Sequence, residues 1–186
     1  MSELSIDKWF QYLCPPGLGA ASDNFKFLAN PNGLTSQEAF PYIAWKKQLN
    51  NIEQISKEIF IIGIPTDTGC GLLRGSNVGP FFIRKALSSQ KDFYFDLGDI
   101  RIIPTFFDDQ YLNTSTINKA QEFLYGSKND LPVSPLSITY DFAKDFFKRF
   151  PNKILFALGG DHSSSQPLIK AFVESRKKLS KKVKNA

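Results

Sequence analysis

The chain has 186 residues, of which 42% are apolar and 22% charged, enough for one sizeable core and too apolar for a disordered chain. Its net charge of +5 resides in the tail: residues 175–186 hold six cations (Arg176, Lys177, Lys178, Lys181, Lys182, Lys184) and no acid, which leaves residues 1–174 at −1. With no aromatic interleaving and no nucleic-acid motif, the tail reads as the solvated, dipole-favoured end of a helix; a phosphate-binding or membrane-surface tail ranks last, and no nucleic acid and no membrane are expected as partners.

No run approaches the roughly 18 apolar residues of a membrane helix, and Met1-Ser2-Glu3-Leu4 offers neither a basic n-region nor an apolar h-region. A cytoplasmic location is expected. Cys14 and Cys70 lack metal-ligand spacing and read as reduced thiols.

Residues 1–57 read as an N-terminal extension packing on a body formed by residues 58–186. Pro15-Pro16-Gly17, Asn30-Pro31-Asn32-Gly33 and Phe40-Pro41 interrupt periodicity there. Trp45, Leu49, Ile52, Ile55 and Ile59 give one stretch of helical period. An Ile-rich strand over 58–64 follows, ended by Pro65; a loop bearing Gly69, Gly71, Gly75 and Gly79 then leads to a helix over 80–87. Short strands are predicted over 93–97 and 101–105, and a short helix over 116–124. A stronger helix spans 137–150, with Ser137 able to cap it and Phe142, Phe146, Phe147 and Phe150 on one side.

Residues 153–158 form a short apolar run closed by Gly159, which predicts a buried strand. After it, Gln166-Pro167 and the spacing of Leu168, Ile169, Phe172, Val173, Leu179 and Val183 predict a helix that ends in the basic tail. The order of elements favours a layered α/β domain. His162, the only histidine, then falls in a strand-to-helix loop, where open parallel sheets place their ligands.

Taken alone, Gly160-Asp161-His162 fits either a hydrogen-bonded structural histidine or a metal ligand. Asp108-Asp109 and Asp96 with Asp99 are carboxylate pairs that read as solvated loop acids or loop-shaping groups. Three segments in one order carry more. Gly63-Ile64-Pro65-Thr66-Asp67 with Gly69, Arg74-Gly75, Gly79-Pro80 and Ile83-Arg84 resembles the first block of the arginase and agmatinase family of ureohydrolases. Asp96-Leu97-Gly98-Asp99-Ile100 resembles its next block, and Gly159-Gly160-Asp161-His162-Ser163 its first metal motif.

The resemblance implies a three-layer, arginase-like α/β fold with a central, mainly parallel sheet flanked by helices, incomplete here, and with two Mn ions at the carboxyl ends of the strands in complete members. It implies His162 as a metal ligand, for which a neutral imidazole is suited. It gives Gly159, Gly160, Asp161, Gly63, Pro65 and Asp67 loop-shaping or second-layer roles, and Arg84 a structural one. No catalytic residue is assigned. The family's later Asp-Ala-His-x-Asp and Asp-x-Asp motifs do not occur in this sequence, and one imidazole does not hold two cations, so the binuclear site is not expected in this chain alone. The expected function is the N-terminal portion of a Mn-dependent ureohydrolase, inactive in isolation, whose complete form acts on a small guanidino or formimino substrate. The alternative is a degenerate, non-catalytic member that binds a partner. A homo-oligomer or a separate C-terminal half is the expected partner, and a sheet left with an open edge predicts self-association or poor solubility.

Overall fold

Apolar runs separated by Gly and Pro assemble into one sheet. The computed structural model describes residues 6–17, 36–90 and 92–184. Its strands are β1 (Leu13–Cys14), β2 (Ile59–Ile64), β3 (Tyr94–Ile100) and β4 (Ile154–Gly159), in the spatial order β1-β3-β2-β4. β2 pairs in parallel with β3 and β4, while β1 runs antiparallel to β3. The α-helices are α1 (Trp9–Tyr12), α2 (Ser36–Asn50), α3 (Gly79–Ala86), α4 (Thr114–Tyr125), α5 (Pro135–Arg149) and α6 (Ser165–Lys184). The result is a mixed α/β fold with a mostly parallel sheet flanked by helices. Among the described residues, no helix is long and apolar enough to cross a membrane.

Alternation along the strands sorts their side chains between two faces. Phe60 on β2 meets the phenylalanine stripe of α5, its ring 5.6 Å from those of Phe146 and Phe150. Burying each such ring contributes about 1.5–3 kcal/mol, which is why α5 lies on the sheet. Trp9 joins this layer 5.0 Å from Phe142, and its indole N–H donates to Asp145 at 2.6 Å. Trp45 on α2 donates to the Leu97 carbonyl at 2.9 Å. Residues ahead of 58 thus fill the same core as the strands.

Four local expectations are corrected. Residues 101–105 form no strand, because β3 continues through Ile100 and the chain then turns away. α5 is capped by Ser134, which accepts from the Ser137 N–H, and Pro135 takes the first turn; Pro at that position needs no N–H partner. α2 runs through Pro41 despite the lost N–H, its later turns anchored by buried Trp45 and Leu49. The helical period predicted from Trp45 to Ile59 breaks after Asn50: Ile52–Gln54 is a single 3-10 turn and Ile59 already belongs to β2. The Asn30-Pro31-Asn32-Gly33 interruption lies outside the described residues.

β3 carries one irregularity. Ile61 pairs with Asp96 but Gly63 with Asp99, so β3 spends one extra residue between them. The bulge lets two acids three apart in sequence share one face of the sheet. Gly98 holds it at φ 99°, and a Cβ there would lie 2.2 Å from the Cys14 carbonyl oxygen, so only glycine fits.

Candidate functional site

The turn after β4 is built from backbone contacts that only small residues allow. Gly160 N–H donates to the Ile64 carbonyl at 2.9 Å and Asp161 N–H to the Thr66 carbonyl at 3.1 Å, which ties the end of β4 to the end of β2. A Cβ on Gly160 would sit 1.8 Å from the Thr66 oxygen. Gly159 faces the Ser164 hydroxyl, which donates to the Asp161 carbonyl at 2.8 Å.

Asp161 is the knot between two loops. One carboxylate oxygen accepts from the Ser163 N–H at 2.7 Å and from the Ser163 hydroxyl. The other accepts from the Gly69 N–H at 2.7 Å, with the Cys70 thiol 3.9 Å away. Every strong acceptor direction used here is turned toward protein donors, so this side chain shapes loops. Asp67, nearly buried, does the same inside the glycine loop. It accepts from the Gly75 N–H at 3.1 Å and pairs with Arg74 at 3.3 Å. Pro65 is buried where β2 ends.

His162 opens a 3-10 turn, His162–Ser164, and its imidazole is exposed with no hydrogen-bond partner among the described residues. It projects from the carboxyl end of a parallel strand, the position from which such sheets present chemistry.

A second polar centre lies on the face of the sheet that α3 covers. Arg84 donates from Nε and Nη2 to the two oxygens of Asp96 at 2.8 and 3.0 Å, from Nη1 to Asp99 at 2.6 Å, and from Nη2 to the Gly98 carbonyl at 2.8 Å. Gly63 makes room for this arrangement, since a Cβ would fall 1.8 Å from Asp99 Oδ1. Burial pushes the Asp99 carboxyl up, opposed by Arg84 and by the Gly17 N–H. Burial works against the Arg84 charge as well, but Asp99 and Asp96 outweigh it and hold the guanidinium pKa above its ordinary value. Asp96 and Asp99 are therefore strand residues locked by a cation, not solvated loop acids; the two-residue gap between them gave no hint, because the bulge is what aligns them.

A family model described as the arginase family matches residues 57–181, a span that includes the glycine loop, the bulged β3 and the β4 turn. The chain belongs to the arginase family. No curated protein and no solved structure matches it. Its ancestry is that of ureohydrolases, whose members are generally Mn-dependent. Among the described residues of this arginase-family chain, however, no group of three or more His, Cys, Asp or Glu side chains is placed to hold a metal ion. Asp161 is already engaged by three donors and His162 belongs to no such group, so the described residues do not fit a pair of Mn ions. The other carboxylate pair is spent too: Asp109 accepts from the N–H groups of Val133 and Ser134 and from the Ser134 hydroxyl.

Sequence patterns gave no sign of one concavity. A cleft of about 510 Å³ lies among α4, α5 and the start of α6, lined by Asp108, Asp130, Asp141, Tyr140 and Lys170 among others. No residue of the glycine loop lines it, and neither does His162. The family motifs and this cleft are separate places.

Proposed function

We propose that this chain is the N-terminal portion of a Mn-dependent ureohydrolase of agmatinase or arginase type, acting in the cytoplasm on a guanidino or formimino C–N bond, and that it is inactive by itself. The observation that carries the reading is the β4 turn: one exposed imidazole at a strand end, on a loop fixed by Asp161, and belonging to no metal-holding group among the described residues. Hydrolysis of a guanidinium carbon needs an activated water and a group to stabilise the developing charge. This chain contributes neither, so its own part is to place His162 and to form the wall made by residues 63–79. Further ligands come from additional polypeptide bearing the Asp-Ala-His-x-Asp and Asp-x-Asp segments.

The test is urea release from agmatine, arginine and related guanidino compounds with Mn²⁺ supplied. The isolated chain is expected to release none, and mixing with a polypeptide that carries those two segments is expected to yield activity that His162→Ala abolishes. Urea release by the isolated chain that His162→Ala abolishes would overturn the reading. A second reading, a non-catalytic member that binds a partner, is favoured by one observation, the bare and apolar outer side of β4. Failure of every complementing polypeptide to restore activity would select it.

A further inference from the structure

We draw no further inference here: the strongest candidate, the cleft among α4, α5 and the start of α6 that Asp108, Asp130 and Asp141 line, carries nothing, because it is a cluster of acidic side chains and neither Arg101 Nε nor Thr139 Oγ1, the buried side-chain atoms without a hydrogen-bond partner among the described residues, belongs to its lining to point to a ligand.

Discussion

Along β3 the sheet is finished twice over, first by the antiparallel cover of β1 and then by the Arg84 clamp on Asp96 and Asp99; along β4 it is bare, with Ile154 and Phe156 in solvent. The same parallel ladder from β2 leads to both sides. What separates them is what each side has to satisfy. Asp99 is wholly buried, and an uncompensated buried charge would cost several kcal/mol, so the β3 side tolerates no missing partner. The β4 side exposes backbone groups that water serves and apolar groups whose exposure is a moderate cost. One edge is locked from within, and the other is left for something outside to cover.

The largest effect is expected at the locked edge. Arg84→Met removes the cation between two carboxylates and leaves Asp99 buried without it, for a loss of about 3–5 kcal/mol in denaturant unfolding. A loss below about 1 kcal/mol, the range of exposed pairs, would mean that the two edges are not different in kind.

Alkaline pH probes the same edge from beneath. Cys14 is fully buried against β3, and burial first, then the Asp99 charge, pushes its thiol from 9.0 up to about 12. The folded chain therefore holds that proton more tightly than the unfolded chain. Stability from this group is intact below pH 9 and falls as pH rises from 9 toward 12, by roughly 3 kcal/mol near pH 11. Cys14→Ala is expected to flatten the decline between pH 9 and 10, as read by urea midpoints. Burial pushes the Tyr12 and Tyr125 hydroxyls up too, so a decline from those groups persists above pH 10.

At the open edge the expected change is smallest. Phe156→Lys, which disturbs no ladder bond, is expected to shift unfolding free energy by no more than about 0.5 kcal/mol. A loss comparable to that of Arg84→Met would show that the folded monomer depends on the β4 face no less than on the β3 face.

How much could be read in advance depends on range. β2 and β4 were legible as strands because each is an apolar run bounded by Gly or Pro, and α5 because its phenylalanines repeat at helical period; the expectation that the 153–158 strand is buried is corrected, since Ile154 and Phe156 are exposed. β1 was not, since Leu13–Cys14 is too short to carry a period and exists only because β3 offers it a ladder. The bulge at Gly98 hid both the true end of β3 and the alignment of Asp96 with Asp99, and it invited a separate strand over 101–105. In the site, the apolar run closed by Gly159 and the helical spacing after Gln166-Pro167 placed residues 160–164 in a strand-to-helix loop. That Asp161 reaches across to the Gly69 N–H depends on a contact 92 residues distant in sequence, which no local pattern contains. The helical spacing of Ile169, Phe172 and Val173 was legible, but not that all three stay partly exposed.

The central claim is that this arginase-family chain presents one imidazole and not a metal site. Direct Mn²⁺ uptake by the purified chain, followed by electron paramagnetic resonance of the free ion, tests it most directly. The account predicts no tight uptake and, at most, weak binding of one ion that His162→Ala removes. Tight binding of two ions per chain would contradict it.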